Sequence, residues 1–277
     1  MTTSGATPTP SAAVRSAAFF DLDKTIIARS STLAFSRHFY GSGLLNRRAV
    51  LRSAYAQFVF ALSGASEDQM QRMRAYLTDL VRGWDVRTVR EVVAETLHSV
   101  VDPLVYEEAV ALIADHHSAG RDVVIVSASG SEVVEPIGAM LGADHVIATR
   151  LVEVDGAYNG EIDFYAYGEN KALAVRELAD EHGYDLGESY AYSDSETDVP
   201  MLAEVGNPVA VNPDRALRRV ATEEGWPVLE FDEPVALRSR VTLESTGSKV
   251  AVAGLAAAAV SAAAGVALHQ IKRRRPE

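Results

Sequence analysis

The sequence predicts an α/β fold: a Rossmann-like parallel sheet with helices on both faces, a helical insertion after the first strand, and an apolar C-terminal helix. Three observations carry this. From Asp122 to Phe231, short apolar runs of the buried-strand type alternate with helical patterns. One such run, Ala17 to Phe20, stands alone ahead of a long helical stretch from about Thr32 to Ser99. The last apolar segment, Val250 to Leu268, carries no charge. With 277 residues and 48% apolar composition the chain is long enough to bury a core.

The elements follow in order. Residues 1–16 are small and polar, contain proline and lack an apolar h-region, so they read as a disordered leader. In the helical stretch, Ser66 and Gln69 form a capping box and Asp85 is an N-cap. Asp102-Pro103 marks a break, with Pro103 in the first turn of a helix that Gly120 ends. "DVVIVSAS" is a buried strand and "SEVVEPIGAMLG" a helix; "DHVIATRLVEV" is a strand that turns back at Asp155-Gly156. An amphipathic helix over Asn170 to Gly183 precedes the strand "SYAYSD". "PVAVN", a helix over Asp214 to Glu224 and "PVLEF" complete the pattern. The expected division is 17–29 with 101–235 as core, 30–100 as cap, 236–248 as linker and 249–271 as terminal helix.

A net charge of −12 argues against nucleic-acid binding through a basic surface. The absence of cysteine removes disulfides, thiolate nucleophiles and zinc–thiolate sites, and fits a reducing compartment.

Chemistry gathers at the strand ends. Asp21 closes the first run, with Asp23 and Thr25 after it; Ser127 closes the second; Ser193-Asp194 closes a third, with Asp198 four residues on; Lys171 opens a helix. In a parallel sheet these ends share one edge. Asp21, Asp23 and Asp194 would repel one another without a cation, and hard oxygen ligands suit Mg²⁺ completed by water and a substrate phosphate. A lysine and a hydroxyl suit phosphate oxygens. One carboxylate can then attack phosphorus while a second carries the proton.

"DLDKT", "VIVSASG", Lys171 and "SDSETD", in this order, resemble the four motifs of the haloacid dehalogenase superfamily of phosphohydrolases, over about Ala17 to Phe231. An insertion between the first two motifs resembles the subfamily (IB) that includes phosphoserine phosphatases, whose cap is of the C1 type. The resemblance implies Asp21 as nucleophile and Asp23 as general acid/base that lends its carbonyl to Mg²⁺. Thr25 would steady the loop at the phosphate; Ser127, Ala128 and Lys171 would hold phosphoryl oxygens. Asp21, Asp23 and Asp194 would form the metal site, with Asp198 supporting it or Lys171. Backbone amides of Leu22, Asp23, Ala128 and Ser129 would cradle the phosphate. "DKT" also resembles the phosphorylated aspartate of cation pumps, but the apolar run stops at Asp21, which leaves Asp23 as the acid/base of a hydrolase. His116 and His117 show no metal-ligand spacing and read as surface or structural.

Two features bear on substrate and location. Between Asp23 and Glu67 there is no acidic residue, whereas Lys24, Arg29, Arg37, Arg47, Arg48 and Arg52 interleave with aromatic residues. That is either a solvated basic face or a lid for an anionic substrate with an apolar portion, or for an anionic membrane surface. "IIARSSTLAF" lacks the glutamate with which phosphoserine phosphatases meet the substrate ammonium, which argues against phosphoserine itself. Val250 to Leu268 spans about 28 Å as a helix, near the thickness of a bilayer core, and is bracketed by Lys249 and Lys272 to Arg275. Although its ten alanines drive it only weakly into lipid, it reads as a single-pass or interfacial helix that tethers a cytoplasmic enzyme to a membrane. The expected function is Mg²⁺-dependent hydrolysis of a small organic or lipid-like phosphomonoester. A phosphotransferase, or a membrane-tethered regulatory protein with a relict site, stays open at this point.

Overall fold

The computed structural model describes residues 15–44 and 78–232. The expectations for the leader, the Ser66–Gln69 capping box, the basic residues from Arg47 onward and the C-terminal helix lie outside them, Arg15 and Ser16 of the leader excepted. Among the described residues no helix is long and apolar enough to cross a membrane.

Strand β1 (Ala17–Asp21) is buried along its whole length, which is why it reads as an unbroken apolar run and not as an alternating one. Phe19 enters a cluster with Val124, Val126, Val175 and Met201, while Phe20 stacks on Tyr192 with ring centroids 4.4 Å apart. The partners are β2 (Asp122–Gly130), β3 (His145–Val154), β4 (Ala157–Phe164), β5 (Tyr190–Ser193), β6 (Asn207–Val211) and β7 (Val228–Leu229). They form one sheet in the order β4-β3-β2-β1-β5-β6-β7. Within this sheet β3 and β4 pair antiparallel and the other neighbours pair parallel. They are joined through Asp155 and Gly156, both with positive φ (52° and 79°), as a tight hairpin turn demands.

From β1 the chain moves outward through β2 and β3, then returns to β5 on the other flank of β1. The order reverses between β1 and β5, and in open sheets of this kind the ligand crevice lies beyond the C-terminal strand ends at that point. The register sharpens this. Asp21 lies opposite Val126 of β2, and Phe20 lies opposite Tyr192 of β5. Ser127 and Asp194 therefore each fall one residue past the level of Asp21.

The insertion leaves after β1 and begins with α1 (Ser31–Gly41), whose Phe35 and Phe39 are buried. It returns through α2 (Val86–Val101), capped by Asp85, whose carboxylate accepts the Thr88 amide at 2.7 Å. Outgoing and returning chains are tied together: Ala28 donates to Leu104 O at 2.8 Å and Tyr106 to Ile26 O at 2.9 Å. This pairing corrects one expectation. Pro103 sits in a separate 3₁₀ turn (Asp102–Leu104), and α3 (Glu107–Ser118) starts later, because Val105 is extended to bridge Ile27. Gly120 (φ 74°) follows the end of α3 as expected.

The second strand also departs from expectation. It does not end at Ser127 but runs to Gly130, with a slip in register against β3 between those two residues. Thr149 of β3 holds this overrun by donating its hydroxyl to Ala128 O at 2.7 Å. The remaining α-helices among the described residues are α4 (Ser131–Leu141), α5 (Glu169–His182), α6 (Val199–Ala203) and α7 (Arg215–Glu224), the last capped by Asp214.

Candidate active site

The strand ends converge as the register requires. Lys171, in the first turn of α5, is 2% exposed, and its Nζ donates to Asp21 Oδ1 at 2.6 Å and to Asp198 Oδ2 at 2.8 Å. Gly168 turns the chain into α5 with φ 56°, a region that favours glycine. Asp198, in a 3₁₀ turn after β5, also accepts the hydroxyl of Ser193 at 2.7 Å. Residues from β1, β5, the turn after β5 and α5 thus share one buried hydrogen-bonded unit.

Asp23 sits beside this unit. Its Oδ1 accepts the Ser31 amide at 2.8 Å and its Oδ2 the Ser129 hydroxyl at 3.2 Å. The Asp21–Ile27 loop is closed by Ile26 and Ile27, which both donate to Leu22 O, and by Lys24 N, which donates to Ile27 O at 2.6 Å. Lys24 takes a left-handed backbone (φ 67°) to do so. Its exposed ammonium lies 3.7 Å from Asp194 Oδ2. Thr25 is buried, and its hydroxyl has no hydrogen-bond partner among the described residues. Ser127 is buried with its Oγ accepting the Ser129 amide at 3.2 Å, so that amide is turned inward to Ser127.

Charge in the unit is unbalanced. Burial pushes the Asp21 carboxyl up to about 8 against the pull of Lys171, with Asp198 and Asp194 adding to the rise. Burial lifts Asp194 to about 6, opposed by Lys24 and assisted by Asp198. Asp23 is raised by burial although Ser31 and Ser129 oppose it. For Lys171, burial works against the charged form but Asp198 and Asp21 outweigh it, so its proton is held more tightly than usual. Three buried carboxylates around one ammonium leave a negative surplus in an all-oxygen setting. That donor set fits a hard divalent cation. Among the described residues no three acidic or imidazole groups form a ready-made cage. An ion that keeps waters and takes oxygen from its substrate needs none.

The family model of haloacid dehalogenase-like hydrolases matches residues 18–203. The chain belongs to that family. It is 61% identical over 262 residues to the "Inhibition of morphological differentiation protein" of Streptomyces azureus, covering 94% of this chain and 95% of that one. It is 59% identical over 261 residues to a probable phosphatase of Mycobacterium tuberculosis (strain ATCC 25618 / H37Rv), covering 94% and 90%. A solved protein of unknown function from Bordetella pertussis Tohama I superposes with a TM-score of 0.69 at 29% identity, over 78% of this chain and 98% of that one. This haloacid dehalogenase-type phosphatase is of the phosphoserine-phosphatase-like kind, with its helical insertion directly after β1.

The geometry gathers Asp21, Asp198 and Lys171 by direct contact, with Asp194 one residue past the register and Asp23 across the loop. Four contacts were not anticipated from the sequence, although Ser193, Lys24 and Ser129 lie in its motifs: Ser193 on Asp198, Lys24 on Asp194, and the Ser129 hydroxyl and the Ser31 amide on Asp23. A partial signal existed for Ser129, since "SASG" places a second hydroxyl two residues beyond Ser127.

Proposed function

We propose that the chain hydrolyses a phosphomonoester through a phosphoryl group carried on Asp21. The observation that supports this most is the Lys171 ammonium held between Asp21 and Asp198 in a buried unit at the switch point of the sheet. One oxygen of Asp21 is taken by Lys171, which leaves the other to attack phosphorus. As that bond forms, the ester oxygen–phosphorus bond breaks, and the leaving alkoxide takes the proton of the Asp23 carboxyl. In the second half, Asp23 accepts a proton from water as the water attacks phosphorus. The bond from phosphorus to Asp21 then breaks, returning the carboxylate and releasing inorganic phosphate. Lys171, Ser127, the orphaned Thr25 hydroxyl and the backbone at Ala128 bind phosphoryl oxygens. Asp21 and Asp194 carboxylates, with the Asp23 carbonyl, would hold Mg²⁺, which when bound supplies charge neutralisation and Lewis acidity toward those oxygens. Asp198 acts by orienting Lys171.

For the substrate, the insertion supports a small organic or lipid-like phosphate. Arg29 and Arg37 are exposed at the start of the insertion, and α1 also exposes Leu33 and Tyr40, each at 41%. No acid stands in residues 24–66 to meet an ammonium group. The uncharged Val250–Leu268 segment supports a membrane tether. The deciding experiment is Mg²⁺-dependent phosphate release from 4-nitrophenyl phosphate, lost in Asp21→Asn. Retention of turnover in that variant refutes the mechanism. A panel of polar and lipid phosphomonoesters, with vesicle flotation of full-length and tail-deleted protein, tests substrate class and tether.

A further inference from the structure

Asp23 is gripped on both oxygens, and one grip has an internal logic. The Ser129 hydroxyl has three neighbours: Asp23 Oδ2 at 3.2 Å, Ser31 Oγ at 2.9 Å and Thr32 Oγ1 at 3.1 Å. A hydroxyl has one proton and two lone pairs, and an ionised carboxylate only accepts. When Asp23 is ionised, Ser129 donates to it, and Ser31 and Thr32 both donate to Ser129. Ser31 is fully buried and Ser129 is 8% exposed, so water competes little for these bonds.

The chain also crosses a boundary. Ser129 lies on β2 of the sheet, on the overrun past Ser127, whereas Ser31 and Thr32 open α1 of the insertion. The second grip, from the Ser31 amide, comes from the insertion too. Asp23 is thus fixed where sheet and insertion meet, and each of its oxygens retains a further lone pair for a proton.

We propose that Ser129 is a positioning residue for Asp23, and that Ser31 and Thr32, by seating α1 against it, complete a hydroxyl clamp that aims the Asp23 carboxyl at the leaving group. The inference rests on the reading of Asp23 as the proton carrier. It predicts a loss that depends on how much proton the leaving group requires. Nitrophenolate is a weak base and leaves with little help, whereas phenolate needs the acid more.

The test is the pre-steady-state burst of leaving-group release by the full-length protein with Mg²⁺, on phenyl phosphate and on 4-nitrophenyl phosphate. In Ser129→Ala the burst rate at saturating substrate should fall about tenfold further on phenyl phosphate than on 4-nitrophenyl phosphate, with the substrate concentration that gives half the maximal burst rate unchanged. Ser129→Thr, which keeps the hydroxyl, should restore the ratio. Asp23→Asn serves as the reference and should show the larger skew. Skew in Asp23→Asn with none in Ser129→Ala overturns the clamp; no skew in Asp23→Asn overturns the role of Asp23 itself. If Ser129→Ala does not fold, Thr32→Val at an exposed position decides: a smaller skew of the same sense supports the clamp, and its absence overturns it.

Discussion

The ammonium of Lys171 and the carboxylate of Asp198, 27 residues apart in the chain, meet at 2.8 Å with both side chains almost fully buried. Lys171 reaches Asp21 from the same position. One buried cation thus fixes two acids, and its removal leaves Asp21 and Asp198 without their counter-ion, Asp198 retaining the Ser193 hydroxyl. Lys171→Ala should abolish phosphate release and lower stability by about 3 kcal/mol. Arginine should not rescue it, because a planar guanidinium does not fit where a compact ammonium bridges two carboxylates. Asp198→Asn keeps the Lys171–Asp21 contact, so it should lower turnover without abolishing it. Denaturant midpoints and phosphate release from 4-nitrophenyl phosphate read both effects.

The surplus of acid over base sets the pH response of the metal-free protein. The Asp21 carboxyl stands at about 8 and Asp194 at about 6, both raised by burial from 3.8. The folded state holds these protons when the unfolded chain has lost them. Stability from this source is complete below about pH 4 and falls as pH rises through about 6 and then about 8. Asp21→Asn should flatten that fall while eliminating turnover. Urea midpoints across this range, in chelator, check it.

Divalent cation removal should abolish turnover, and its restoration should depend on Asp194. With Asp194→Asn, half-maximal activity should require about tenfold or more Mg²⁺. The same variant should weaken any rise in melting temperature that Mg²⁺ confers on the wild type. A cation titration followed by both activity and melting keeps binding separate from chemistry.

The large features were legible because each rests on a local rule. The β1 run is uniformly apolar because both its faces are covered, and it closes at Asp21, the last residue of β1. Asp155-Gly156 announces a turn that needs positive φ, and Asp85 announces a helix start through Thr88. What escaped depends on packing between distant segments. Ser129 meets Asp23 across 106 residues, and a serine in a strand carries no sign of its partner. Val105 is extended because Ile27 pairs with it, which moved the start of α3 beyond Pro103. His116 lay between these cases. It continues the buried stripe of Ala109 and Ile113 on α3, a spacing that distinguishes it from the exposed His117, whereas both were read together as surface or structural.

Gly206 marks a close approach that the sequence does not advertise. Its amide donates to Leu186 O at 2.8 Å, and a Cβ there would lie 1.8 Å from Gly187 O. The obstacle is backbone, so no side chain can swing aside. Gly206→Ala should separate the segments that lead into β5 and β6 and cost about 3 kcal/mol. A denaturation midpoint within error of the wild type would show that the approach is looser than described.

His116 should govern part of the acid sensitivity of the fold. Its Nδ1 accepts Arg121 Nε at 2.7 Å, which places its single proton on Nε2, facing Tyr192 Oη at 2.9 Å. A second proton would set Nδ1–H against the Arg121 donor in a buried site packed edge-on to Phe20 and Tyr190. Burial, then Arg121 and His117, hold the ring down to about 4, below the ordinary 6.5. The unfolded chain therefore takes the proton first as pH falls. The stabilisation is complete above about pH 6.5 and is lost by about pH 4, a loss of roughly 3 kcal/mol. His116→Gln cannot titrate, so the gap between its urea midpoint and that of the wild type should narrow across this window. A gap that stays constant from about pH 7 to about pH 4 would mean that the ring is already charged in the folded protein.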